Sequence, residues 1–262
     1  HKDMDEYINA KKNILLHQNA FSRTVLNDDN DITRSFGAEV RGQYMHFSMK
    51  APVSNGAWLA EDGTIYMAYR RMIAPILTTD DIALMGRHNI ENYLAAISAV
   101  WGYAGADSIL KVAREFKGVE HRIELVRTLD GVKYYNDSIG TSPTRTIACL
   151  EAFDKKLILI AGGYDKHIPF EPLAPYINEK VKTLILTGPT AQKIEGAVKN
   201  DKSYNGSVEV IHSSSMEESV NIAHQKAKEG DIVALSPACA SFDAYPNFAA
   251  RGNDFKKIVN NL

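Results

Sequence analysis

Between Asp3 and Leu16, Tyr7, Ile8, Ile14 and Leu15 recur among charged residues at a spacing that predicts a helix. The period then shortens. Residues 31–79 contain short, turn-punctuated apolar runs, "EVRGQYMHFS", "GAWLAED" and "GTIYMAYRR", and "EDGT" between two of them predicts a hairpin. Helical spacing returns in "HNIENYLAAISAVWGYAG" (88–105) and again in "ADSILKVAREFKG", with Gly118 as the expected stop. A domain boundary is expected near Lys117-Gly118.

Beyond it the pattern alternates. "RIELVRTLDGVKYYNDS" reads as a hairpin around Asp130-Gly131, and "TRTIACLEAF" as a helix. The near-continuous apolar runs "KLILIAGG", "TLILTG", "SVEVIHSSS" and "DIVALSPA" read as strands. "PTAQKIEGAVK" and "MEESVNIAHQKAKEG" read as helices between them. Buried strands separated by helices predict an α/β fold: a Rossmann-like, doubly wound parallel sheet. Ligands of such sheets bind beyond the carboxyl ends of the strands. That directs attention to "NDSIGTSPT", "GGYDKH", "TGPTAQ" and "SPACAS".

Composition narrows the partners. The chain is 45% hydrophobic and 24% charged, with a net charge of -2, as in ordinary globular proteins. No global charge draws it to nucleic acid or an anionic membrane, so any phosphate must be met locally. Cys149 and Cys239 make no disulfide framework and fit reduced thiols in a cytoplasmic protein. No apolar run approaches the ~20 residues that span a bilayer, and no signal peptide is visible. The start, "HKDMDEYINAKKNILLHQN", has no initiating Met and opens inside a helical pattern, so the chain reads as part of something longer.

Several residues carry candidate chemistry. Gly162 and Gly163 allow close backbone approach, and Lys166 then offers a point cation for a carboxylate or phosphate, or is an exposed turn lysine. In "YYNDSIGTSPTRT", Asp137, Ser138, Thr141 and Ser142 lie in a strand-to-helix turn. Hydroxyls and helix-start N–H groups there suit an anion. Ser142 is also the expected N-cap, with Pro143 at the first helical position. Asn89 and Asn92, three apart, share a helix face, either as readers of an adenine edge or as a polar helix start. Arg122, beside His121, reaches phosphate oxygens or is a surface arginine. Cys239 has no local partner that would make it a nucleophile and reads as a small buried residue.

Taken together and in order, "GVEHRIELV", "YYNDSIGTSPTRT", "ILIAGGYDKHIPF" and "LSPACASFDAYPNFAARGNDF" resemble the C-terminal domain of the Mur ligases, in their D-glutamate-adding branch. "HNIENYLAA" and "HKDMDEYINAKKNIL" are similar to parts of the family's central ATPase domain. The resemblance implies that residues 1–117 are the C-terminal portion of that partial α/β domain, with its small β-rich region, and residues 118–262 the C-terminal domain. It implies a cytoplasmic, monomeric enzyme of peptidoglycan synthesis. Such an enzyme uses ATP and Mg²⁺ to phosphorylate the carboxylate of UDP-N-acetylmuramoyl-L-alanine, and the amine of D-glutamate then attacks the acyl phosphate. By the same resemblance, Lys166 and Thr141 hold the α-carboxylate of D-glutamate. Ser241, Phe242 and Phe248 receive its side-chain carboxylate. Asn89 and Asn92 face adenine, and Arg122 and Asp137 lie near the phosphates and ribose. Lys11 matches a carbamylated lysine that helps hold Mg²⁺, and His1 matches a metal-site histidine.

Two departures matter. Where the family has "NDSKATN" this chain has "NDSIGTS", so Ile139 replaces a cation expected near the phosphates. The phosphate-binding G-x-x-x-x-G-K-[ST] is absent from the sequence, so the 262 residues alone are expected to be inactive. Two further readings stand beside this one: a related Mur or folylpolyglutamate ligase adding another amino acid, and a non-catalytic binding module. A nicotinamide dehydrogenase would need a G-x-G-x-x-G after a strand, which is not there.

Overall fold

The computed structural model describes residues 2–262, and the chain divides into two units, one ending at Phe116 and one running from Lys117 to Leu262. In the first unit, Asp3 caps helix α1 (Met4–Leu16) by accepting the Glu6 N–H at 2.8 Å. Strand β1 (Arg23–Asn27) and a short helix α2 (Asp31–Ser35) follow. Then come β2 (Gln43–Ser48), β3 (Gly56–Leu59), β4 (Thr64–Tyr69) and β5 (Met72–Thr78), and helices α3 (Arg87–Val100) and α4 (Ala106–Glu115). The sheet runs β1-β2-β3-β4-β5, parallel across its first three strands and antiparallel thereafter. The expected hairpin at "EDGT" is the β3–β4 turn. Helix α3 lies on β1, β2 and β3 and closes a core of Met45, Ala57, Ile65, Met67, Leu94 and Ile97. Ser98 is the polar exception: its buried hydroxyl donates to Leu94 and accepts the Ala57 N–H, joining helix to sheet.

The second unit has β6 (Glu124–Leu129), β7 (Val132–Asn136), α5 (Pro143–Glu151), β8 (Leu157–Gly162), α6 (Ala174–Lys180) and β9 (Val181–Thr187). It continues with α7 (Ala191–Asn200), β10 (Glu209–Ser213), α8 (Met216–Lys226), β11 (Ile232–Leu235) and α9 (Phe248–Asn261). The strand order is β10-β9-β8-β11-β7-β6. Every neighbour pair is parallel except the β6–β7 hairpin. One face carries Cys149 and Leu150 of α5, Ile177 of α6 and Ile194 and Val198 of α7, and the other carries Val220 of α8 and Phe255 and Val259 of α9. The sheet is thus doubly wound, and β8 and β11, buried along their whole length, have apolar side chains on both faces.

Local details correct the sequence reading. The helix expected to reach Gly105 ends at Val100, because Trp101 leaves the helical backbone with ψ 128° and Gly102 has φ 86°. The next ends at Glu115, so Gly118 lies beyond its stop. Ser142 occupies the N-cap position of α5, but its side chain makes no capping bond; its hydroxyl lies 3.2 Å from that of Thr144. Strand β1 and helices α2, α6 and α9 were not expected. Two of these are too short for a clear period, α6 carries Pro175 in its first turn, and α9 carries Gly252, a weak helix former, within it. A Cβ on Gly252 would lie 2.3 Å from His121 Nδ1, so this helix needs glycine for close packing rather than for a turn.

Candidate active site

In the second unit the carboxyl ends of β7, β8, β9 and β11 present their loops together. The loop after β7 opens on Asp137, which is buried. Its carboxylate accepts the Ser236 hydroxyl at 2.6 Å and the Ile123 N–H at 3.3 Å. Burial pushes its pKa up to about 6, against the opposing pull of those two donors, of Cys149 and of the Arg122 charge. His121 and Ile123, just before β6, both adopt positive φ (66° and 47°), a strained conformation for non-glycine residues. Asn136 holds His121 in place. Its Oδ1 accepts the Ser138 N–H at 3.1 Å, and its Nδ2 lies 2.9 Å from His121 Nδ1 and donates to Glu124 Oε2 at 3.1 Å.

The Ser138 hydroxyl is engaged within the protein. It donates to the Phe248 carbonyl at 2.7 Å and accepts from Arg251 Nε at 3.0 Å, so the anion-binding role considered for it is not available. Arg251 is itself buried. Its guanidinium also donates to the carbonyls of Ser138, Cys239 and Ala240 at 2.9–3.1 Å, tying the β7 loop to the β11 loop. Burial lowers its pKa to about 10. Nothing in the sequence pattern singled out Arg251 or Asn136; the signal that fits them is a charged or amide residue inside an otherwise apolar element.

Lys166 sits on the β8 loop, exposed, with no ion pair among the described residues. Thr141 is half-buried, and its N–H donates to the Ile139 carbonyl at 2.7 Å. Ser241 is buried midway along the β11 loop, where its carbonyl accepts the N–H groups of Ala244 and Tyr245. Phe242 is 66% exposed and meets the Tyr164 ring edge-on at 6.0 Å. Phe248 is the first residue of α9, not a loop residue, and packs edge-on against His121. A cavity of about 280 Å³ at the same sheet end is lined by Gly162, Gly163, Gly188, Asp243, Tyr245 and Arg251 among others, and by none of the implied D-glutamate contacts. Both thiols are free and buried, and burial raises the Cys239 pKa to about 11, so it is no nucleophile.

The first unit holds the remaining candidates. On α3, Asn92 donates to Asn89 at 3.2 Å and Asn89 donates to the Met85 carbonyl at 2.7 Å, so the two amides form one polar strip. Lys11 is exposed on α1, its ammonium 5.3 Å from the Tyr7 ring centroid. His1 lies outside the described residues. Among the described residues no group of three or more His, Cys, Asp or Glu side chains is placed to hold a metal ion, and no helix is long and apolar enough to cross a membrane.

Residues 1–100 match the Mur ligase middle domain, and residues 121–239 match the Mur ligase glutamate ligase domain. The chain belongs to the Mur ligase family. Among its relatives, the UDP-N-acetylmuramoylalanine–D-glutamate ligase of Clostridium botulinum (strain Alaska E43 / Type E3) is 51% identical over 263 residues, spanning 100% of this chain and 56% of that protein. The ligase of the same name from Acetivibrio thermocellus is 50% identical over 265 residues, spanning 57% of its length. This Mur ligase chain thus covers little more than half the length of the curated relatives it matches. Among solved structures, a pseudomurein peptide ligase type C from Methanothermus fervidus covers 99% of the chain at TM-score 0.69 and 14% identity, with 60% of that chain matched. E. coli FolC in complex with DHPP and ADP covers 99% at TM-score 0.67 and 12% identity, with 57% of that chain matched. At such identities these two report the shared Mur ligase fold.

Proposed function

We propose that this chain is part of an ATP-dependent ligase that joins D-glutamate to UDP-N-acetylmuramoyl-L-alanine in peptidoglycan precursor synthesis. The observation that carries the reading is identity of about half, along the whole chain, to ligases named for that reaction. In this reading residues 1–117 belong to the central ATP-binding domain and residues 118–262 form the C-terminal domain. The γ-phosphoryl group of ATP passes to the substrate carboxylate, making a good leaving group of a poor one. The amine of D-glutamate attacks the carbonyl carbon, and the tetrahedral intermediate expels phosphate.

The residues divide this work. Lys166 and Thr141 receive the α-carboxylate of D-glutamate, a charge-assisted contact open to Lys166 because its ammonium has no ion-pair partner among the described residues. Ser241, Phe242 and Phe248 border the side-chain carboxylate. Asn89 and Asn92 meet adenine; Arg122 and Asp137 lie near the phosphates and ribose. Lys11, as a carbamate, would give Mg²⁺ one oxygen-bearing group. Magnesium is a hard cation that usually keeps several waters and takes its other oxygens from one or two carboxylate-like groups and the nucleotide phosphates. The enzyme acts as a cytoplasmic monomer, with no nucleic-acid or membrane partner.

The test is phosphate release from ATP by the whole protein that carries this chain, with UDP-N-acetylmuramoyl-L-alanine present. Turnover is expected with D-glutamate and not with L-glutamate or L-lysine, and none from residues 1–262 alone. Equal turnover with L-lysine would assign the chain to another branch of the family. No turnover with any amino acid would favour a binding module.

A further inference from the structure

The loop after β9, "TGPTAQ", has no part in the function above, yet it touches both loops that do. Thr190 stands at the N-cap of α7, where a threonine oxygen ordinarily accepts an N–H of its own helix. Here it makes no such bond. The hydroxyl, fully buried, instead accepts the Gly163 N–H at 3.1 Å and donates to the Gly163 carbonyl at 3.0 Å, and Cys239 Sγ lies 3.2 Å from the same oxygen. Three residues on, one helical turn later, Lys193 forms an ion pair with Asp165. The other carboxylate oxygen of Asp165 accepts the His167 N–H at 2.8 Å, which closes a turn in which His167 takes φ 59°. Between these two anchors Tyr164 bridges to Ala240, its N–H donating at 3.0 Å. The segment 163–167 is therefore fixed at both ends and in the middle, and Lys166 is left exposed within it.

We propose that the first turn of α7 is the positioning element for Lys166: Thr190 sets the start of the β8 loop and Lys193, through Asp165, sets its far side. The proposal rests on Lys166 contacting the D-glutamate carboxylate. Neither Thr190 nor Lys193 touches substrate; both act through the loop. A lysine is a flexible point charge, and its hold on a carboxylate depends on where its backbone is pinned.

The experiment measures kcat and KM for D-glutamate and for ATP in the whole protein, with K166A as the reference. T190V removes the hydroxyl at nearly constant shape. It is expected to raise KM for D-glutamate about tenfold, with KM for ATP within about twofold, and T190S is expected to restore the parent value. D165A, which loses both bonds, should exceed D165N, which keeps an acceptor for the His167 N–H; K193Q should resemble D165N. Should T190V fail to fold, the D165A, D165N and K193Q series at the surface carries the test alone. Unchanged KM for D-glutamate across the folded variants, with K166A raising it, would overturn the positioning role and leave the Lys166 contact standing. Unchanged KM in K166A itself would remove the contact and the proposal together.

Discussion

Asp137 and Arg251 show what burial does to single charges in this protein. The Asp137 carboxyl has a pKa of about 6 against an ordinary 3.8, so the folded state holds its proton more tightly than the unfolded chain does. Its stabilising contribution is complete below about pH 3.8 and is lost as the pH rises through about 6. Asp137→Asn should therefore be more stable than the parent at pH 7.5, on the order of 2–3 kcal/mol, with the advantage vanishing near pH 4. Urea unfolding at the two pH values checks this; an equal difference at both would mean the effect is packing rather than ionisation. Among the candidate residues, sequence pattern reached those whose type and position suggested chemistry: Asn89 and Asn92 on one helix face, Arg122 just after the domain boundary, and polar or charged residues at strand ends. Asp137, Thr141 and Lys166 meet the last condition. Ser138 met it too, and the structure shows why type was misleading: its hydroxyl is consumed by Phe248 and Arg251. Arg251, inside a helix missed as a helix, offered no such cue.

Strands with an apolar run and helices with a clear period were legible as elements; α9 was not. It follows the β11 loop, begins at Phe248 and contains "ARGND", which looks like a turn when read alone. What makes it a helix lies in its cap and its packing. Asn247 accepts the Ala250 N–H at 2.8 Å, Phe255 and Val259 are fully buried against the sheet, and Gly252 permits the approach of His121. Asn247→Ala should cost about 1 kcal/mol by urea unfolding, and Asn247→Ser only a few tenths, since serine caps nearly as well. A null effect of both would show that α9 is held by burial alone. The side-chain cap expected of Ser142 fails for the complementary reason: its hydroxyl turns to Thr144, and Pro143, already fixed in φ and lacking an N–H, starts the helix without that bond.

At the scale of the molecule, each unit has its own sheet and its own apolar core. The chain between α4 and β6 leaves Phe116 and Lys117 exposed. Brief trypsin treatment should accordingly cut first near Lys117, leaving two pieces that each keep secondary structure by circular dichroism. First cuts inside either sheet region would contradict two self-sufficient cores. The alternation of strand and helix beyond residue 118 was enough to anticipate a doubly wound sheet, because a parallel strand buried on both faces has a nearly uninterrupted apolar sequence. Strand order was beyond reach, since it depends on which strands meet across the sheet and not on any one of them.

That order has a consequence for synthesis. Strand β11, the last of the second unit to leave the ribosome, lies between β8 and β7 and pairs with both. Until Leu235 has emerged, the β6–β7 hairpin and the β8-β9-β10 layer are two halves with facing, unpaired edges of apolar strand, the kind of surface that recruits a wrong partner. The nascent unit therefore spends most of its translation as an unclosed sheet, and the piece that seals it also carries the loop that holds Ser241.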